Sequence, residues 1–202
     1  LDKKYLIHMA TLFAPIQAII FGIAILIASS FWNTQIWFAY HPVFMLLAYL
    51  GFMSNAIYFE LWGRNHWLHL LLQLLCVVCA DFAWYVIYVN KNMANKAHNT
   101  TWHAWIGVAC LVTTNSQCMG AMYKLWPSKP RTEIKNLDIT LHKWGGRALF
   151  IAILVTLHLG FYKMRSFNVV QMVAFDAFLV CVAVICLTRW IYIRPLWTKI
   201  KL

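Results

Sequence analysis

Apolar residues run along this chain in long blocks separated by short polar joints. Six blocks can be drawn, at about 7–29, 39–60, 67–89, 102–123, 139–162 and 168–190. Each has the length of a helix crossing a hydrocarbon layer roughly 30 Å thick. No Asp, Glu, Lys or Arg occurs between Tyr5 and Phe59. In lipid, only a helix or a closed barrel pairs all its backbone groups internally, and runs of this length predict helices. The short joints make consecutive helices antiparallel neighbours. The expected fold is an all-α membrane protein, a six-transmembrane-helix bundle forming one domain over residues 1–202.

Composition agrees. Of 202 residues, 62% are hydrophobic and only 11% are charged, against about 25% charged in soluble domains. A soluble globular fold is excluded. The net charge of +11 does not indicate a nucleic-acid partner, because the basic residues gather at the joints. With the N-terminal side called A, thirteen Lys and Arg fall on side A. Lys91, Lys96, Lys163 and Arg165 fall on side B. The positive-inside rule makes side A cytoplasmic, with both termini there. The choice between an endomembrane and the plasma membrane stays open. The first apolar run is too long for the core of a cleavable signal peptide. Six cysteines all lie inside apolar blocks. Cys76 and Cys79 form a CxxC without a following histidine, so they read as packing residues rather than a haem attachment. Asn99-Thr-Thr is a sequon placed too near the membrane to be used.

Four histidines change the picture. His41 and His103 begin the second and fourth blocks, both entered from side B. His69 and His142 begin the third and fifth, both entered from side A. Alternate helices therefore present one matched pair near each surface. Two imidazoles are the usual protein ligands of an electron-transfer haem. The pattern predicts two haem b groups, with irons held by His41 and His103 on the non-cytoplasmic side and by His69 and His142 on the cytoplasmic side. Pro42 keeps His41 near a helix start, where proline is tolerated. Gly107 and Gly146 stand one turn after His103 and His142 on the same face, leaving clearance for a flat macrocycle. His69 has Gln73 at that offset, a hydrogen-bonding group instead of a gap. Each ligating imidazole is expected to donate its other nitrogen to a backbone carbonyl. His158, Asp81 and Asp176 lie inside apolar blocks, where polar groups are costly. They are expected to be hydrogen-bonded, with the two carboxyls protonated.

At these residues the sequence resembles the cytochrome b561 family. The motifs are His41-Pro-Val-Phe-Met45, His69-Leu-Leu-Leu-Gln73, Trp102-His-Ala-Trp-Ile-Gly107 and Leu141-His142. Gln73, Lys96-Ala-His98 and Gln117-Cys118 are similar to the short, single-domain animal members, which carry glutamine where others have a second histidine in the third helix. The resemblance implies a six-helix, two-haem oxidoreductase that takes single electrons from cytoplasmic ascorbate. It passes them to a ferric chelate or monodehydroascorbate on the other side. It also implies a homodimer.

Ascorbate is an anion, so cationic side chains near the cytoplasmic site should attract it. Arg64, Lys135, Lys143 and Arg147 are the candidates, with His66 as proton acceptor. Lys91, Lys96 and His98 are the candidates for the acceptor side. Two alternatives compete: a quinol-linked haem b oxidoreductase, and a transporter whose histidines line a proton or metal path without haem.

Overall fold

The computed structural model describes residues 3–31, 35–60, 66–126, 129–163 and 168–187. Six helices account for most of them. These are α1 (Lys3–Ser30), α2 (Trp37–Tyr58), α3 (His66–Met93), α4 (Trp102–Lys124), α5 (Asn136–Tyr162) and α6 (Val169–Leu187). A 3-10 turn at Arg131–Glu133 precedes α5. No strand occurs among the described residues. The six expected blocks and the six helices coincide to within a few residues at most ends.

Among the described residues, four helices are long and apolar enough to cross a membrane: α2, α3, α5 and α6. Helix α4 falls short because Thr113, Thr114, Asn115, Ser116 and Gln117 are consecutive polar residues. The helix itself satisfies most of that run. Thr113, Thr114 and Ser116 donate to the carbonyls four residues back at 2.7, 2.8 and 2.8 Å, and Asn115 donates to Leu111 O at 3.1 Å. Such back-bonds let polar side chains persist in a helix.

Small residues decide the closest helix approach. Cys76, Ala80 and Ala83 on α3 are fully buried, as are Ala48 and Ala56 on α2. They let the two backbones pack closely, as small residues do between membrane helices. Large apolar residues on α3, among them Leu71, Leu75, Val78 and Phe82, point outward. The core continues through Leu111, Leu149, Phe150 and Ile153 to Phe175, Leu179 and Val182 of α6.

Helix α2 is not uniform. It opens with a 3-10 turn at Trp37–Ala39, and its α-helical stretch starts at Tyr40, so Pro42 does sit in the first turn. From Leu47 to Met53 it widens into a π-helix. The π form spends one extra residue on the turn. Ser54 donates to Leu50 O, and Asn55 donates to Gly51 O at 2.7 Å, so side chains take up carbonyls within the widened turn.

The B-side connection is compact. Asn95 and Asn99 adopt left-handed φ values of 49° and 50°, a region asparagine tolerates better than most residues. The reversal returns His98 onto α3, where it stacks on Tyr88 with ring centroids 4.7 Å apart.

Candidate functional site: two imidazole pairs at two levels

The four histidines meet as two pairs. His41 and His103 face each other with ring centroids 6.3 Å apart and planes at 86°. His69 and His142 do the same at 6.2 Å and 83°. An imidazole centroid lies about 1.1 Å behind its nitrogen, so two rings bonding one ion from opposite sides at about 2 Å sit about 6.2 Å apart. Both spacings match that value.

The other ring nitrogen is committed in all four. His41 Nδ1 donates to Ala83 O at 3.0 Å, His69 to Ala56 O at 2.9 Å and His103 to Thr156 O at 3.0 Å. His142 Nδ1 donates to the Gln117 side-chain oxygen at 3.0 Å. A neutral imidazole with its proton on Nδ1 carries its lone pair on Nε2, the ligating form. Backbone acceptors were expected for all four; three are backbone, and the fourth is a side chain. Gln73 was expected to stand by His69 as a hydrogen-bonding group. The bond goes instead to Ala56 across the α2–α3 contact, because the close packing of small residues brings that carbonyl within reach.

The four bonds are reciprocal. The α2 histidine donates to α3, and the α3 histidine donates to α2. The α4 and α5 histidines exchange in the same way. Ala83 lies fourteen residues beyond His69, Gln117 fourteen beyond His103, and Thr156 fourteen beyond His142. Ala56 lies fifteen beyond His41. The π-turn of α2 absorbs the additional residue, so all four helices place histidine and acceptor at the same two levels. Fourteen residues rise about 21 Å, which separates the levels by most of a hydrocarbon layer.

A cavity of about 770 Å³ surrounds the His41–His103 pair, within the usual range for small-molecule sites. Gly107 and Gly160 line it, with Leu46, Tyr49, Cys110 and Ile153 toward the bundle centre. At its outer end stand Trp84, Tyr88, Lys91, His98 and Lys163. Of the acceptor-side candidates, Lys91 and His98 line the cavity. Lys91 Nζ donates to Ala97 O at 3.0 Å, and His98 Nε2 to Asn92 Oδ1 at 2.8 Å. Lys96 is exposed and not part of the lining. Lys163, in the sequence only one of the side-B charges, joins Lys91 and His98 in the lining; its position past the end of α5 carries no motif.

The glycines divide. Gly146 has nothing within 4 Å of where a Cβ would stand, so its face is open. A Cβ on Gly107 would meet Thr156 at an ordinary 3.6 Å. The tighter requirement falls on two glycines that the spacing did not single out. A Cβ on Gly160 would stand 2.8 Å from the His103 ring, and one on Gly145 would collide with the Gln117 amide.

On side A, His66 Nδ1 donates to Glu60 Oε2 at 2.7 Å, and Glu60 lies within electrostatic reach of His142. Lys143 is exposed on α5, and Lys135 occupies the N-cap position of that helix without a side-chain capping bond. Arg147 lies over the Trp144 ring at 5.0 Å. Lys124 pairs with Asp138 at 2.9 Å. Arg64 lies outside the described residues. The intramembrane polar residues find one another: His158 Nδ1 donates to Asp176 Oδ1 at 2.7 Å, and Asn115 donates to Asp81 Oδ1 at 2.9 Å. All six cysteines are free, and Cys76, Cys110, Cys118 and Cys186 are buried, as packing residues would be.

Apolar helices of membrane-crossing length around two half-buried imidazole pairs define a helical integral membrane protein with two candidate one-ion sites. The chain belongs to the eukaryotic cytochrome b561 family, whose family model matches residues 40–168. It is 28% identical over 141 residues to mouse "Transmembrane reductase CYB561D2", covering 63% of this chain and 62% of that protein. Mouse "Probable transmembrane reductase CYB561D1" is 29% identical over 139 residues, covering 63% and 60%. The maize "Ascorbate-specific transmembrane electron transporter 1" is 25% identical over 141 residues, covering 67% and 60%. The match therefore spans about three fifths of the length of these relatives. Membership implies haem b, and the residues fit it. No group of three His, Cys, Asp or Glu side chains could hold a bare ion among the described residues. A macrocycle that brings its own in-plane nitrogens asks the protein for only the two imidazoles present in each pair.

Proposed function

We propose that the chain carries single electrons across a membrane through two haem b groups. His41 and His103 hold one, and His69 and His142 hold the other. The observation that carries the proposal is the pair of ring separations, 6.3 and 6.2 Å, at two levels of the same four helices. In both sites haem would supply a one-electron iron couple. Residues 1–202 form one unit that crosses the bilayer six times, a reading supported by six helices joined through short connections. The excess of Lys and Arg on side A supports cytoplasmic termini.

The protein's own residues have three tasks. The first is to fix the imidazoles, which the four Nδ1 bonds do; such outer partners set ring orientation and ligand basicity. The second is to receive the donor. The cytoplasmic ascorbate anion docks by charge among Arg64, Lys135, Lys143 and Arg147, beside the His69–His142 pair. Ascorbate monoanion gives up one electron and one proton. The Nε2 of His66 takes the proton, and Glu60, 2.7 Å from Nδ1, stabilises the imidazolium that results. The third task is to receive the acceptor. Lys91, Lys163 and His98 at the outer end of the cavity attract an anionic ferric chelate or monodehydroascorbate, with Lys96 exposed on the same connection. With both imidazoles of each pair engaged, the acceptor is reduced at the edge of the site, without binding iron directly. A homodimer is part of the same reading, by similarity to the family.

The test is spectroscopic. Purified protein should give a reduced-minus-oxidised haem b difference spectrum and two haems per chain by pyridine haemochrome. His103→Ala should remove one haem and leave the other reducible by ascorbate. A colourless preparation would refute the proposal and favour a histidine-lined transporter.

A further inference from the structure

Midway between the two imidazole levels lies a layer of four buried residues, one from each ligand-bearing helix. Cys76 is seven residues from both His69 and Ala83, Cys110 seven from both His103 and Gln117, and Leu149 seven from both His142 and Thr156. On α2 the corresponding residue is Tyr49, eight beyond His41 and seven before Ala56. All four are at least nine-tenths buried. Of the four, Tyr49 alone carries a π-system.

Tyr49 touches both halves of the bundle. Its ring lines the His41–His103 cavity on the side facing the other pair. Its phenol lies near Thr114 on α4, whose hydroxyl donates to Cys110 O at 2.8 Å. Thr114 stands one turn before Gln117, the residue that fixes His142. Cys76 lies close enough to the phenol to interact with it electrostatically. The residue stands inside the π-turn Leu47–Met53. The widened turn therefore sits at the level where the interior between the pairs must be filled, and it fills it with an aromatic ring.

We propose that Tyr49 is the bridging residue between the two sites, setting the rate at which an electron passes from one level to the other. One electron leaves the His69–His142 site, which is oxidised, and arrives at the His41–His103 site, which is reduced. Tyr49 is neither oxidised nor deprotonated. Its ring supplies polarisable, close-packed matter across a gap that aliphatic side chains would couple less well. The hydroxyl is dispensable for the transfer itself. The inference rests on the two-haem reading above.

The experiment compares Tyr49→Phe, Tyr49→Leu and Tyr49→Met in purified holoprotein. Haem content, both midpoint potentials and thermal unfolding are measured first. The rate of redistribution between the two haems after flash photoreduction of one is measured next. The expected result is wild-type content and potentials in all three variants. Redistribution should stay near wild type in Tyr49→Phe and slow by an order of magnitude in Tyr49→Leu and Tyr49→Met. Redistribution at the wild-type rate in the aliphatic variants would overturn the inference. So would loss of haem from both of them, which would assign Tyr49 to packing. A wild-type protein without two haems defeats the two-haem reading itself. Two haems with an indifferent position 49 defeat only the bridge.

Discussion

Replacing Gly160 by alanine should disable the His41–His103 site while leaving the His69–His142 site intact. The added Cβ would stand 2.8 Å from His103 Cε1 and 3.1 Å from Nδ1. Ordinary van der Waals contact begins at 3.4 Å, so the ring must retreat by about 0.6 Å. It has little freedom to do so. Its Nδ1 is held by Thr156 O at 3.0 Å, and the His41 ring stands 6.3 Å away, centroid to centroid. Overpacking of this kind costs about 1–3 kcal/mol, and each 1.4 kcal/mol is tenfold in affinity. Haem affinity at this site should fall by about one to two orders of magnitude. The assay is haem titration of the haem-depleted protein, followed by difference spectroscopy of each site. Gly120→Ala is the control, because nothing lies within 4 Å of its Cβ position. Gly160→Ala with wild-type haem affinity and an unshifted midpoint potential would refute the reasoning.

Three further outcomes follow from the geometry. Gln117→Leu removes the acceptor of His142 Nδ1 and should weaken haem retention at the His69–His142 site by about 10–100-fold; titration should find the His41–His103 site unchanged. Asp176→Leu strands the His158 donor at membrane depth and should destabilise the protein by about 1–3 kcal/mol. Asp176→Asn, which keeps an acceptor oxygen, should recover most of that loss in thermal unfolding. Lys91→Ala and Lys163→Ala, singly and together, should slow reduction of an anionic ferric chelate at low salt and converge on wild type as salt screens the charge. Stopped-flow reduction across an ionic-strength series checks this, and a salt-independent defect would contradict it.

Helix positions and the histidine pairing were legible because both repeat along one segment. A membrane-crossing helix declares itself by the length of its apolar run, and a ligand by its distance from the run's end. Antiparallel neighbours then bring His41 to His103 and His69 to His142 by counting alone. Helix α4 was harder, because its polar run Thr113–Gln117 is made tolerable by back-bonds that composition does not reveal. His158 and Asp176 could each be recognised as costly, but not as each other's partner. The basic side A was readable as a charge count, whereas the use of Glu60 by His66 was not.

By itself, then, the sequence determined six helices, four inward imidazoles and the two levels at which they meet. Tertiary structure alone decided what holds those rings: the carbonyls of Ala83, Ala56 and Thr156, and the amide of Gln117. A backbone carbonyl has no signature in residue type, and which one is reachable depends on how closely two helices approach. The π-turn in α2 belongs with these. It reconciles a fifteen-residue spacing with the fourteen of the other three helices, and that mismatch has meaning only once the four are packed side by side. Gly160 and Gly145 matter for the same reason, since the space each one leaves is filled from a different helix.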